Sequence, residues 1–180
     1  GLELNLGNNI WIWRGEDNTG IRNKWGEDIL VEFNDNLSNK DMSLAFWWRN
    51  HDEDNGRTLI SLRHNNDDKF GFAPSRFRRS FIFNGLYGIF SEGNDLDLPY
   101  DNLWHHFVFT YDSYRYQLKM YIDGQEKRNF PFIWIKDGEE PNNLLIKSEL
   151  NSLELDDIGI WEGALSSQQI ANLFQETLAQ

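Results

Sequence analysis

The chain has 180 residues, a formal net charge of −12, no cysteine, and eight tryptophans within an aromatic content of 15%. That length suits one domain able to bury a sizeable core; the missing cysteines exclude a disulfide framework and thiolate metal sites. Nucleic acid is a poor partner for so acidic a chain, because its affinity rests on Lys and Arg neutralising phosphates, and no apolar run approaches the roughly 20 residues of a membrane helix.

The acidity has a plain reading as solubility and a sharper one as a source of carboxylates for calcium, and composition does not separate them. Gly1 leads straight into LELNL with no basic and then apolar leader, so a signal peptide is expected to be absent or already removed. The abrupt ends suggest a domain cut from a longer chain, with flanking domains on either side. No low-complexity linker or internal repeat divides it.

Taken in order, residues 1–24 carry Trp11 and Trp13 and read as an extra strand or a cap. Met42–Arg49, MSLAFWWR, sets Met42, Leu44, Phe46 and Trp48 against Ser43, Ala45, Trp47 and Arg49, the period-two pattern of a strand. Thr58–Leu62 and Lys69–Ala73 are short strands around a polar turn, Arg63–Asp68. Arg79–Phe83 and Gly88–Phe90 follow, with Asn84-Gly85 between them. His105, Phe107, Phe109 and Tyr111 form one alternating row; Leu118, Met120 and Ile122 form a second. Asp123-Gly124, a strong hairpin signal, leads to Gln125–Arg128 and makes a three-stranded meander. Leu144–Lys147 and Leu155–Trp161 add two strands. Only the end reads as helix: Ser166 caps it, Gln169 stands at capping-box spacing, and Ile170, Leu173, Phe174 and Leu178 form one apolar stripe.

Three of these segments carry a resemblance. LWHHFVFTYD at 103–112 with LKMYIDG at 118–124 resembles the paired strands of laminin G-like, concanavalin A-like jelly-roll domains. LDDIGIWEGALSSQQI at 155–170 is similar to the closing segment of that family, and Met42–Arg49, with its central Trp47, to an early strand. The similarity runs from about residue 25 to 178 in the expected order. It implies an all-β fold, a two-sheet antiparallel jelly-roll sandwich with a short C-terminal helix, as a single domain over 1–180. It also implies a secreted or cell-surface location and recognition of a glycan or an extracellular protein, often beside calcium. One fold hosts many activities, so function must be argued from a site.

Glucanase relatives of the family place Glu-x-Asp-x-(x)-Glu on one strand face. Here Glu154 and Asp156 keep that alternation, but Ile158 takes the next position on the face and the third carboxylate is missing. Retaining hydrolysis needs two carboxyls about 5–5.5 Å apart, so a glycan hydrolase or lyase is the second reading, and a purely structural adhesin or toxin domain the third. The resemblance gives Asp156 a role as calcium ligand, sharing the ion with Glu27 and Asp28; hydrogen bonding to loop amides is the competing role. The acidic loop His51–Gly56 lacks EF-hand spacing and reads as a solvated turn. Adjacent His105 and His106 face opposite sides of a strand and do not chelate one ion together; with no cysteine, zinc is not expected. No nucleophile elbow is readable.

For ligand contact the candidates are Trp134, which follows FPFI, and Tyr114 and Tyr116 in the turn before Leu118, all able to stack on a sugar or to pack on neighbouring loops. Arg76, in the basic cluster Ser75–Arg79, can meet an anionic group or balance the acidic field around it.

Overall fold

The computed structural model describes residues 9–13, 28–33, 41–50, 60–73, 80–83, 89–90, 98–99, 101–131, 135–147 and 153–178. In chain order the strands are β1 (Asn9–Trp13), β2 (Ile29–Glu32), β3 (Met42–Asn50), β4 (Ile60–His64), β5 (Asp67–Ala73), β6 (Ser80–Phe83), β7 (Ile89–Phe90), β8 (His105–Asp112), β9 (Gln117–Ile122), β10 (Gln125–Pro131), β11 (Asn143–Ile146) and β12 (Leu153–Glu162), followed by helix α1 (Ser167–Leu178). They form two six-stranded sheets, A in the order β1-β12-β3-β8-β9-β10 and B in the order β2-β11-β4-β5-β6-β7. Every neighbouring pair is antiparallel. This is the all-β, two-sheet jelly-roll sandwich with one C-terminal helix that the resemblance implies.

Period-two alternation decides what fills the gap between the sheets. From sheet A, Met42, Leu44, Phe46 and Trp48 of β3 point inward beside Phe107, Phe109 and Tyr111 of β8 and Leu118, Met120 and Ile122 of β9. Sheet B supplies Ile60, Leu62, Phe72, Leu144 and Ile146. Aromatic rings lock the two layers: Phe72 lies 5.5 Å from Phe46 and 5.0 Å from Phe107, and Trp48 meets Phe107 edge-on at 5.3 Å.

The residues of alternate parity build a second, smaller core on the outer face of sheet A. Ala45, Val108, Tyr121 and Trp161 pack there against Leu165, Ile170 and Leu173. Helix α1 is therefore a third layer on the back of the sandwich. Its start is a reciprocal cap: the Ser166 amide donates to Gln169 Oε1 at 2.9 Å, and the Gln169 amide donates to Ser166 Oγ at 3.3 Å. The stripe is narrower than the spacing suggests. Thr177 takes the buried position in the last turn and Leu178 is 57% exposed, because Ile170, Leu173 and Thr177 continue one line while Leu178 rotates to its flank.

Three local features differ from the sequence reading. The polar turn expected over 63–68 is only Asn65–Asn66, since Arg63 and His64 continue β4 and Asp67 already begins β5; Asn65 tolerates the left-handed φ of 53° this tight turn requires. Strand β2 pairs with β11 from a four-residue segment, ILVE, too short to show a period. Strand β12 carries a bulge: Asp156 pairs with Trp47 and Gly159 with Ala45, so Asp157 and Ile158 together oppose Phe46. One extra residue reverses the facing of all that follows. Ile158 is thus buried in the inter-sheet core with Leu155 and Ile160, and does not share a face with Asp156 as unbroken alternation would require.

Candidate functional site

On the outer face of sheet A, beside the C-terminal end of α1, lies a cleft of about 220 Å³ lined by Trp47, Trp104, Asp156, Asp157, Thr177 and Leu178. Alternation in β3 sends Trp48 inward and leaves Trp47 facing the helix. The bulge in β12 sets both carboxylates at the cleft, with Asp157 at φ 44° and its amide donating to Asp156 Oδ1 at 2.8 Å. Trp104, just before β8, forms a half-buried wall, with the Arg49 guanidinium 4.8 Å from its ring centroid in cation–π contact. Thr177 Oγ1 donates to the Leu173 carbonyl at 2.8 Å and so is engaged within its own helix. The Trp47 indole N–H is buried and has no acceptor among the described residues. Indole surfaces offer stacking to an apolar C–H face, and carboxylates accept hydrogen bonds from hydroxyl or amino groups.

Beneath the cleft, His106 is sealed between sheet and helix. Its ring centroid is 5.2 Å from that of Trp47 and 6.0 Å from that of Phe174, and Trp47 and Phe174 stack at 5.8 Å. Neither imidazole nitrogen has a hydrogen-bond partner among the described residues. Burial pushes the His106 imidazole down to about 4, against the opposing pull of the Asp123 charge.

His105 faces the other way. Its Nδ1 lies 2.7 Å from Asp123 Oδ2 and its Nε2 lies 3.0 Å from Asp101 Oδ1. The Asp123 hydrogen bond raises the His105 pKa, outweighing burial, with Asp101 adding to the effect. Asp123 is pushed up by burial but more strongly down by His105 and the His106 amide, so its net shift is downward. Asp101 likewise ends below its ordinary value: burial opposes the Leu103 amide and His105, which prevail. A carboxylate faces each ring nitrogen, so both nitrogens are engaged within this cluster.

Among the described residues, those singled out from sequence stand at separate places. Tyr114 and Tyr116, 90% and 47% exposed, sit in the β8–β9 turn, which Asp41 holds by accepting the Ser113 amide at 2.7 Å. Trp104 precedes the opposite end of β8, so eight residues of strand, roughly 24 Å at about 3.4 Å per residue, separate those tyrosines from the cleft. Asp156 lies in the cleft, whereas Asp28 is exposed at the start of β2 in the other sheet. Trp134, Arg76 and Glu27 lie outside the described residues, as do the loops 51–56 and 75–79.

Calcium needs about six to eight oxygens, and the described residues gather no three acidic or imidazole side chains able to hold a metal. Asp156 stands on sheet A and Asp28 at the start of β2 in sheet B, while Glu27 lies outside the described residues. No helix among the described residues is long and apolar enough to cross a membrane.

Trp104, Asp157 and Thr177 were not singled out by the sequence, and Trp47 only as a fold marker. The doublet Trp47-Trp48 was the available signal, since adjacent residues on a strand cannot both enter one core.

A family model described as the Concanavalin A-like lectin/glucanases superfamily matches residues 26–171. No curated protein matches the chain. Among solved structures, the fold is similar to the receptor binding domain of a botulinum neurotoxin C/D mosaic serotype, with TM-score 0.68 and 18% identity over 95% of this chain and 47% of that one. It is also similar to the botulinum neurotoxin serotype D ligand binding domain in complex with N-acetylneuraminic acid (TM-score 0.64, 17% identity, 84% of this chain and 40% of that one). A third is the binding domain of botulinum neurotoxin DC in complex with rat synaptotagmin II (TM-score 0.62, 17% identity, 83% and 40%). The chain spans less than half the length of each, and at these identities the likeness is one of fold alone.

Proposed function

We propose that this chain, which belongs to the concanavalin A-like lectin/glucanases superfamily, is an extracellular recognition module of a larger secreted or surface protein, and that its ligand seat is the Trp47–Trp104 cleft. The observation that carries this reading is the pairing of two indoles with the carboxylates of Asp156 and Asp157 in one cleft of about 220 Å³. That volume admits a sugar unit rather than a folded surface, and a pocket with aromatic walls and a few convergent polar groups is the usual form of a small-ligand site.

The carboxylates also bear on the class of sugar. They accept from hydroxyl or amino groups and repel carboxylate or sulfate, which favours neutral or amino sugars over sialic acid even though a structural neighbour was solved with N-acetylneuraminic acid. Binding without bond cleavage is supported by the engagement of Asp156 in holding the bulge, through the Asp157 amide. A peptide side chain could enter the same cleft, so an extracellular protein partner is an outcome of the same test.

A glycan array probed with wild type and Trp104→Ala is that test. Selective retention of neutral or amino glycans, weakened about tenfold or more by the substitution while the melting temperature holds, supports the reading. Binding that Trp104→Ala leaves unchanged places the ligand elsewhere, and release of array sugars would turn the reading towards hydrolysis.

A further inference from the structure

We infer that His106 is the positioning residue of this cleft: in its neutral form it is the spacer on which Trp47 and Phe174 rest, and its protonation frees α1 and dismantles the site. The inference concerns regulation of the cleft and rests, for its link to ligand, on the reading above; the helix movement itself stands apart from it.

The geometry supplies each step. His106 is 1% exposed, and its ring packs against Trp47 of the sheet and Phe174 of the helix. Trp47 lines the cleft from the sheet; Thr177 and Leu178, three and four residues beyond Phe174, line it from the helix. Anything that parts Phe174 from His106 therefore removes two walls of the cleft and uncovers a third. A charged imidazolium cannot remain in that position, because neither nitrogen has an acceptor among the described residues and the covering rings are apolar or indole.

The charged groups around the ring do not rescue it. Asp123, on the β9–β10 turn, is the carboxylate whose field favours a proton on His106, yet burial prevails. One oxygen of Asp123 accepts the His106 amide at 2.9 Å, and the other faces the His105 ring at 2.7 Å. His105 is the adjacent titratable group, and both its ring nitrogens are engaged by Asp123 and Asp101. Asp156 of β12 pairs with Trp47, which pairs with His106, so Trp47 stands between them; Arg49 of β3 lies over Trp104 and Asp157 lines the cleft, while Glu176 of α1 is exposed. The imidazole gains full hydration only when the helix moves away.

The sign follows from linkage. The docked state holds His106 near 4 and the released state near its ordinary 6.5. Docking is thus at full strength above 6.5, weakens by up to about tenfold per pH unit as pH falls, and levels off below the docked value.

The experiment follows hydrogen exchange of the α1 amides from about pH 7.5 to about pH 4.5, corrected for intrinsic exchange, in wild type, His106→Phe and His106→Gln. Wild type is expected to lose protection in α1 ahead of the sheets, while both variants, which cannot take a proton, keep a flat profile. Phe174→Ala, which leaves the imidazole titratable but loosens its cover, is expected to move the loss towards neutral pH. A flat wild-type profile, or variants that lose protection as wild type does, overturns the inference. Should neither His106 variant fold, the wild-type imidazole resonance decides: it supports the inference if it titrates only as α1 opens, and overturns it if it titrates normally beneath a docked helix. Glycan retention at neutral pH tests the binding reading separately. A blank array with an acid-released helix sinks that reading alone, and a retained glycan with a flat exchange profile sinks this inference alone.

Discussion

Asp123 and His105 form a 2.7 Å carboxylate–imidazole contact at the tip of the β9–β10 hairpin, while the second Asp123 oxygen accepts the His106 amide at 2.9 Å. One side chain thereby ties the hairpin turn to the start of β8, the strand that carries the cleft's underlying histidine. Asp123→Asn keeps a residue that tolerates the left-handed φ of 51° and keeps one acceptor, so it isolates the charge. A cost of about 1 kcal/mol is expected, held to that level by the partial exposure of Asp123. The pH dependence has two sides. His105 is raised, so its contribution is complete below 6.5 and fades as pH rises through its folded value; Asp123 is lowered, so its contribution is present above 3.8 and fades as pH falls. The melting-temperature difference between wild type and Asp123→Asn should peak between those limits, and a difference that does not change with pH would remove the ion pair from the account.

The Ser166–Gln169 cap fixes where α1 begins. Ser166→Ala removes the acceptor for the Gln169 amide and should cost about 1 kcal/mol, read by thermal melting. Fraying is expected in the first turn, remote from Thr177 and Leu178. Ligand retention should therefore change far less than stability. A loss of binding larger than the loss of stability would show that the whole helix shifts.

Gly124 follows Asp123 at φ 76°, and a Cβ built there would lie 3.4 Å from Phe174 Cδ1. The contact is close but not a clash, so backbone strain dominates. Gly124→Ala should cost about 1–2 kcal/mol, and Gly124→Asn less, because asparagine accepts left-handed geometry more readily. Chemical denaturation of the two variants checks the order. Equal losses would assign the effect to crowding against the helix instead.

The sandwich was legible because its central strands obey strict alternation over long stretches. Met42–Trp48 and Phe107–Tyr111 each send one parity inward, Asp123-Gly124 marks the hairpin, and Ser166 with Gln169 marks the helix start. The cleft was not legible, for three physical reasons. The bulge depends on a positive φ at Asp157, a residue type that does not demand it. The helix docks on the parity of β3 and β8 that a two-layer reading assigns to solvent, so Trp47 and His106 are buried where alternation alone would expose them. Tyr114 and Tyr116 look like ligand aromatics in sequence because they sit in a turn, yet strand length carries them to the far end of the sheet from Trp104.

Asp156 separates a structural role from a metal role. Its Oδ1 accepts the Asp157 amide at 2.8 Å within the bulge, and the side chain is 8% exposed. Asp156→Ala strips that acceptor from a buried amide and should cost about 1–3 kcal/mol, whereas Asp156→Asn retains an acceptor and should cost less. A calcium ligand would behave differently: wild type would melt higher with calcium than with chelator, and both variants would abolish the gap, because an ion bound only by the native state must raise its stability. With Asp156 Oδ1 already engaged by the Asp157 amide, the expected outcome is an Asp156→Ala loss that calcium does not alter. A rise in midpoint with calcium, lost in Asp156→Asn, would restore Asp156 as an ion ligand and require its other oxygens to come from the segment around Glu27 or another part of the chain outside the described residues.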